Sequence, residues 1–147
     1  MKEVKFVKLH PDAAVPKKAT SGSAGFDLRA LLSEPLTIEG GKTSLIKTGI
    51  AIALPEKELA AFIFARSGLA SKHGIAPVNC VGVIDSDYRG EIMVPLINHF
   101  DEPYTIQPGE RIAQLVIMPV PAVRLTEAES LDETDRGEGG FGSTGKQ

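Results

Sequence analysis

Cysteine is almost absent from the sequence, since Cys80 stands alone among 147 residues. No internal disulfide can therefore form, and a reducing compartment is expected. The sequence also lacks any run close to the ~18 apolar residues that a membrane-spanning helix requires. Residues 1–5 mix charged and apolar side chains, so they lack the apolar core of a signal peptide. These absences predict a cytoplasmic protein without a membrane partner.

Concentrated positive charge is absent as well. No block of five or more lysines or arginines occurs, and the formal net charge is −3. Because a nucleic-acid-binding surface usually carries clustered basic residues, no nucleic-acid partner is expected. Hydrophobic residues make up 42% of the chain. A single domain of this length buries roughly 70% of its unfolded surface, which allows a core without covalent cross-links.

Apolar residues recur with period two far more often than with the period of a helix. Short strand-like segments alternate with turns rich in glycine, proline and aspartate, which favours a sandwich or barrel over βαβ units. We expect an all-β protein. The predicted strands lie within residues 4–9, 26–30, 49–54, 60–65, 91–98 and 111–118.

Two local features refine this picture. One short helix is predicted, with Ser67 as its N-cap, Gly68 to His73 as its turns and Gly74 as its end. Pro95 interrupts a strand-like run, and proline cannot donate to a sheet ladder. Pro95 therefore predicts an edge position, a bulge or a strand that faces another subunit.

The composition changes near residue 126. Residues 126–135 are acidic, and five of the ten residues in 136–145 are glycine, so this part cannot build a core of its own. We divide the chain into a β-domain, 1–125, and a linker with a flexible arm, 126–147. The arm is either a disordered tail or a flap in which Phe141 closes over a flat ligand.

Residues 65–72 indicate a possible anion site. Arg66 supplies a forked cation, and a helix that begins beside it would offer free backbone N–H groups. An ordinary capped helix with a surface arginine is the equal alternative.

Residues 79–90 look like a hairpin that carries Asp85 and Tyr88 near its end. An aspartate there could orient and deprotonate a water molecule. The alternative is a turn rich in aspartate and glycine for conformational reasons alone.

The last segment with polar interruptions is the strand within 111–118. Arg111 and Gln114 break its apolar run, and a glutamine on an apolar face should have a hydrogen-bond partner. Structural pairing and ligand contact are both open for Gln114. The three histidines show no metal-ligand spacing.

Five segments in this order resemble the motifs of the trimeric dUTPase family, and they span nearly the whole chain from Ser23 to Gly145. The resemblance implies a jelly-roll-like distorted β-barrel with one short helix. It also implies a homotrimer that exchanges its C-terminal arm and holds three sites at subunit interfaces. Two small departures are Ala65, where many members have proline, and Val83, an allowed apolar variant. The five segments are 24–30, 66–68, 82–90, 109–114 and 136–145.

The resemblance implies a role for each matching residue at the nucleoside end of the substrate. Asp85 is the expected general base. Asn79 and the backbone of Val83, Ile84 and Asp85 are expected to read the uracil edge. Tyr88 is expected to pack on the deoxyribose and exclude a 2′-hydroxyl, with Met93 nearby.

At the phosphate end, the resemblance implies contacts from Arg66, Ser67, Gly68 and Gln114. Asp27 is expected in the outer shell of a Mg²⁺ ion that the triphosphate holds. The arm is expected to complete the site, with Arg136 on the γ-phosphate, Phe141 stacked on uracil, and Gly142 and Ser143 closing over the triphosphate.

The implied reaction is hydrolysis of dUTP to dUMP and pyrophosphate by attack of water on the α-phosphorus. Such an enzyme keeps uracil out of DNA and supplies dUMP for thymidylate synthesis. Two alternatives stay open at this point. One is a nucleotide enzyme of related fold that resembles dCTP deaminase, and the other is a non-catalytic β-sandwich binding module.

Overall fold

The structure is a computed structural model, and it describes residues 2–140. The predicted contacts of Phe141, Gly142 and Ser143 lie outside the described residues. Within that range the chain forms eleven strands and one short helix. In chain order they are β1 Lys5–Lys8, β2 Phe26–Arg29, β3 Leu36–Ile38, β4 Thr43–Lys47, β5 Ile50–Ala53, β6 Leu59–Phe64, α1 Ser67–His73, β7 Ile75–Pro77, β8 Gly82–Ile84, β9 Met93–Asn98, β10 Tyr104–Ile106 and β11 Arg111–Pro119.

The strands pair antiparallel in four small sheets, with orders β1-β5, β10-β3, β2-β11-β6-β8 and β4-β9-β7. Strands far apart in sequence are often neighbours, as β2 and β11 are. This arrangement confirms the predicted all-β, jelly-roll-like fold.

The core follows the alternation of the strands. In β9, Val94, Leu96 and Asn98 point inward and are fully buried, while Met93 is exposed. The buried amide of Asn98 is well paired. Its Nδ2 donates to the carbonyl oxygens of Ile38 at 3.0 Å and Glu102 at 2.7 Å, so it ties the ends of two loops to the core.

All six predicted strand segments overlap an observed strand. The structure adds the short strands β3, β7 and β10 together with β4, which have no clear period-two signal. Proline at position 95 does not mark an edge, because β9 lies in the middle of its sheet. The carbonyl of Pro95 accepts from the N–H of Val78 at 2.8 Å, just beyond the end of β7. The backbone N–H that Pro95 lacks would therefore point to the place where β7 has already ended.

The hairpin predicted for residues 79–90 is wrong. β8 pairs with β6, in the register Ala61↔Ile84 and Ile63↔Gly82, and not with a second strand of its own segment. The chain enters β8 through a turn in which Cys80 has a φ of 62°, and it leaves through a turn closed by the bond from Tyr88 N to Asp85 O at 3.1 Å.

The helix α1 occurs where it was predicted, with one correction at its start. Arg66, with extended backbone angles, occupies the N-cap position, and Ser67 is the first helical residue. Ser67 therefore makes no capping bond. Gly74 ends the helix in the left-handed conformation with φ of 69°, as predicted.

Residues 120–140 contain neither helix nor strand, and the side chains of Val123, Leu125 and Leu131 are 81%, 96% and 90% exposed. The division at residue 125 stays a prediction. Among residues 2–140, no helix has the length and apolar character that crossing a bilayer takes.

Candidate active site

An open cleft of about 280 Å³ lies beside the start of α1. It is polar, and it collects residues from three of the segments singled out in the sequence. The lining residues are Ala19, Ser23, Ala24, Gly25, Asp27, Arg66, Ser67, Gly68, Arg111 and Gln114.

Strand register brings these residues together. β11 pairs with β2 on one side, so that Gln114 lies opposite Asp27, and with β6 on the other, so that Gln114 lies opposite Phe64. The chain that leaves β6 therefore passes close to Gln114, whose Nε2 donates to the carbonyl of Ala65 at 2.9 Å. The predicted partner of Gln114 is thus confirmed, and it is a backbone oxygen.

Asp27 holds two arginines in the cleft. Its Oδ1 lies 3.3 Å from Nε of Arg66, and its Oδ2 lies 3.1 Å from Nη1 of Arg111. Arg66 Nη1 also donates to the carbonyl of Arg111 at 3.1 Å. The Asp27 side chain is 18% exposed, so these pairs are shielded from much of the solvent. The three charges leave one net positive charge facing the cleft.

Two glycines shape the walls. A Cβ on Gly25, just before β2, would lie 3.1 Å from Oε1 of Gln114 and 3.2 Å from the carbonyl of Leu115, so a side chain there would require these neighbours to shift by a few tenths of an ångström. Gly68 has nothing within 4 Å of its Cβ position. The amides of Ser67 and Gly68 precede the first intrahelical bond, from Ala70 N to Arg66 O, and both residues line the cleft.

A hydrogen-bonded group around Tyr104 lies near enough to Arg66 to be affected by its charge. The Tyr104 hydroxyl donates to Glu110, whose other oxygen accepts from the amide of Gln107 at 2.8 Å. The ring of His73 lies 4.7 Å from that of Tyr104. Burial, followed by the bond to Glu110 and its charge, raises the pKa of Tyr104 to about 12, although the charge of Arg66 opposes the shift. The hydroxyl therefore stays a donor across the physiological pH range.

The other predicted site residues within 2–140 lie away from this cleft. Asp85 and Tyr88 are exposed, and the Tyr88 hydroxyl donates to the carbonyl of Glu91 at 3.0 Å. Arg136 is exposed too, and its Nε donates to Gly139 O at 2.8 Å. None of the predicted nucleoside contacts lines the cleft. These are Asn79, Val83, Ile84, Asp85, Tyr88 and Met93.

Register explains the separation. β8 is two strands away from β11, and it runs away from Arg66, because Ile84 lies opposite Ala61 near the start of β6. With a rise of roughly 3.3 Å per residue and roughly 4.8 Å between strands, Asp85 lies on the order of 15–20 Å from the cleft of its own chain.

Sequence reasoning noted Arg111 but gave it no role. The usable signal was a cation at the start of an apolar strand, where a charge needs a partner. Tyr104 and Glu110 were missed because only the fold brings them close enough for the charge of Arg66 to affect Tyr104.

The cleft offers little to a metal ion by itself. Asp27 is the only carboxylate among its lining residues, and within residues 2–140 no three histidine, cysteine or acidic side chains group in a way that could hold a metal ion. A Mg²⁺ ion usually keeps several waters and takes one or two carboxylates plus substrate phosphates. Asp27 fits such an ion only as an outer contact.

Comparison with known proteins bears on these features. The family model for dUTPase matches residues 11–145. A curated relative from Desulfitobacterium hafniense, named deoxyuridine 5′-triphosphate nucleotidohydrolase, is 54% identical over 145 residues, which cover 97% of this chain and 96% of the relative.

Solved structures agree with the sequence relatives. The dUTPase of Staphylococcus bacteriophage 80alpha with dUpNHpp matches with a TM-score of 0.88 and 28% identity, over 99% of this chain and 100% of that one. A mutant dUTPase from phage phi11 of S. aureus, described with a structural Mg(II) ion, matches with a TM-score of 0.77 and 24% identity, over 87% of this chain and 97% of that one. The chain, with its matching fold and motifs, belongs to the dUTPase family.

Proposed function

We propose that the protein hydrolyses dUTP to dUMP and pyrophosphate, by attack of water on the α-phosphorus. The observation that carries the proposal is the cleft in which Asp27 holds Arg66 and Arg111 side by side. Hydrolysis of a polyanion needs mainly charge neutralisation and alignment of the phosphates, and preoriented cations supply both.

In this proposal the cleft binds the triphosphate. Arg66 uses guanidinium N–H groups, and Ser67 and Gly68 offer their amides and the Ser67 hydroxyl. One N–H of the Gln114 amide is committed to Ala65, and a primary amide has a second N–H for a phosphate oxygen. Arg111 adds positive charge.

The segment 79–90 with the start of β9 serves the nucleoside. Asn79 and the backbone of Val83 and Ile84 bind the uracil edge. Tyr88 and Met93 lie against the deoxyribose. Asp85 accepts a proton from the attacking water, so that oxygen bonds to the α-phosphorus while the bond to the bridging oxygen of pyrophosphate breaks.

Since Asp85 lies far from the cleft of its own chain, the proposal needs a second subunit. We place the nucleoside segment of one subunit against the phosphate cleft of a neighbour, in a homotrimer with three shared sites. Residues 1–125 form the β-domain, and 126–147 form the arm. The ten residues 126–135 span at most ~35 Å when extended, which is enough to reach another subunit.

The arm completes the site in this arrangement. Arg136 binds the γ-phosphate, Phe141 stacks on uracil, and Gly142 and Ser143 close over the triphosphate. Closing excludes water and strengthens the charge contacts inside.

In this proposal Asp27 would accept hydrogen bonds from water around a Mg²⁺ ion that accompanies the triphosphate. When bound, the ion would neutralise part of the phosphate charge. The single cysteine supports a place in the cytoplasm, where the enzyme would keep uracil out of DNA and supply dUMP for thymidylate synthesis.

Pyrophosphate release tests the reaction when dUTP, dTTP, dCTP and UTP are compared side by side. We expect turnover of dUTP and strong discrimination against the other three. Release of ammonia from dCTP would instead indicate a deaminase, and no turnover of any substrate would indicate a binding module.

Complementation tests the shared site. One chain carries Asp85→Asn with an intact arm, and the other keeps Asp85 but ends after Asp135. Each alone should be nearly inactive. Refolded together, they should regain activity, because some sites then combine Asp85 of one chain with the arm of another. Mixed trimers without activity would refute the exchange of the arm and leave the dUTPase reaction standing.

A further inference from the structure

The ring of Tyr88 occupies the space that a side chain at residue 90 would need. A Cβ built on Gly90 would lie 2.3 Å from the Tyr88 hydroxyl oxygen, 2.5 Å from Cζ and 3.0 Å from Cε2. All three of the nearest atoms belong to Tyr88. The backbone of Gly90 is not in the left-handed region, so an alanine there would conflict with the ring and not with its own conformation.

The ring is held in this position from its polar end. Its hydroxyl donates to the carbonyl of Glu91 at 3.0 Å, and the Glu91 carboxylate accepts from the amide of Gly49 at 2.8 Å. Glu91 is thus bonded to Gly49, just before β5. Because Gly90 has no side chain, the Tyr88 ring can lie close to its backbone and reach the Glu91 carbonyl. Apart from these contacts Tyr88 is accessible to solvent, with 41% of its surface exposed.

We propose that Gly90 is a specificity-determining residue, which acts by setting the position of the Tyr88 ring. The inference rests on the proposed function, in which Tyr88 packs on the deoxyribose and leaves no room for a 2′-hydroxyl. Any Cβ at position 90 pushes the ring away from the backbone and out of its bond to Glu91. A displaced ring no longer defines the sugar pocket, so discrimination between dUTP and UTP declines.

The expected result concerns the ratio of kcat/KM for dUTP to kcat/KM for UTP. Gly90→Ala should lower this ratio roughly tenfold, which is the scale of discrimination that one small group in a pocket provides. Tyr88→Ala should lower it at least as much. In the Tyr88→Ala background, Gly90→Ala should leave the ratio unchanged and should not lower the Tm, because the ring that it displaces is gone.

Gly41→Ala provides a matched control. Gly41 has a φ of 69° and nothing within 4 Å of its Cβ position, so alanine there strains the backbone of a distant turn without a clash. It should cost about 1 kcal/mol of stability and leave the ratio unchanged. A change of the ratio in Gly41→Ala as large as in Gly90→Ala would show that the ratio follows general destabilisation and would overturn the inference.

The remaining outcomes separate the inference from the proposed function. If Tyr88→Ala lowers the ratio and Gly90→Ala does not, the inference fails and the role of Tyr88 stands. If Tyr88→Ala leaves the ratio unchanged, another part of the site distinguishes the two sugars, and both the inference and the proposed role of Tyr88 are wrong. If Gly90→Ala does not fold, the double variant with Tyr88→Ala decides. A double variant that folds and has the same ratio as Tyr88→Ala supports the inference, and a double variant that does not fold refutes it.

Discussion

Replacing Asp27 by asparagine tests the centre of the cleft. The change keeps the size of the side chain and removes the charge that lies 3.3 Å from Nε of Arg66 and 3.1 Å from Nη1 of Arg111. Two guanidinium groups are then left side by side, joined only by the bond from Arg66 to the backbone of residue 111. We expect both arginines to lose their fixed orientation.

The stability cost follows from the exposure of the groups. The Arg111 side chain is 41% exposed, so its pair resembles a surface salt bridge and contributes up to about 1 kcal/mol. The Arg66 side chain is 27% exposed, and its pair falls between a surface pair and a buried one. The asparagine carbonyl still accepts one hydrogen bond. We expect a loss of about 1–2 kcal/mol in all.

Two effects on the substrate oppose each other. Removal of Asp27 raises the net charge of the cleft by one, and a unit charge a few ångströms from a phosphate is worth about 1 kcal/mol in water. This attraction offsets much of the lost orientation in ground-state binding, so KM should change little. The transition state needs alignment as well as charge, and kcat should therefore fall roughly 10- to 100-fold.

The assay is steady-state hydrolysis of dUTP over a range of Mg²⁺ concentrations, with Asp101→Asn as a charge-matched control on an exposed turn. If Asp27 acts mainly by orienting the arginines, saturating Mg²⁺ does not restore kcat. Full recovery at high Mg²⁺ would assign the contribution of Asp27 to the metal and refute the reasoning. An unchanged kcat would refute both roles.

Two further predictions concern Asp85 and Tyr104. Asp85→Asn should lower the rate of hydrolysis by ~10²–10⁴ while dUTP binding, measured at equilibrium, is retained; near-normal turnover would remove Asp85 from the reaction. Because the pKa of Tyr104 is raised from 10 to about 12, its contribution to stability is complete below pH 10 and is lost as the pH rises towards 12. Melting curves of the wild type and Tyr104→Phe should therefore converge over that interval, and parallel curves would contradict the shift.

Most strands of four or more residues were predictable, because alternation or a short apolar run marks each of them; β4, with five residues, is the exception. β3 and β10 have three residues each, too few for a pattern, and tertiary partners define them. Their pairing includes a hydrogen bond of 2.8 Å between the hydroxyls of Thr37 and Thr105, which are 68 positions apart. The sequence of neither segment alone predicts that the two pair.

The predicted start of the helix was wrong by one residue. Serine is the preferred N-cap, so Ser67 was the natural choice from sequence. In the structure Arg66 is the N-cap and the helix begins at Ser67, one residue earlier than the cap preference predicts. The bond from Gln114 to the carbonyl of Ala65 fixes the chain just before this start, and Ser67 itself lines the cleft.

The distance between Asp85 and the cleft of its own chain follows from strand register, which the motifs by themselves do not give. Residues 27, 66 and 114 meet because β11 pairs with both β2 and β6. The same pairing excludes Asp85, because β8 joins the far side of β6 in the direction away from Arg66. A loop that instead carried Asp85 back to its own cleft would have to cross β6 and leave Tyr88 without its contacts at Gly90 and Glu91. The register that builds the cleft therefore also keeps Asp85 away from the cleft of its own chain, which is why the proposed reaction takes Asp85 from another subunit.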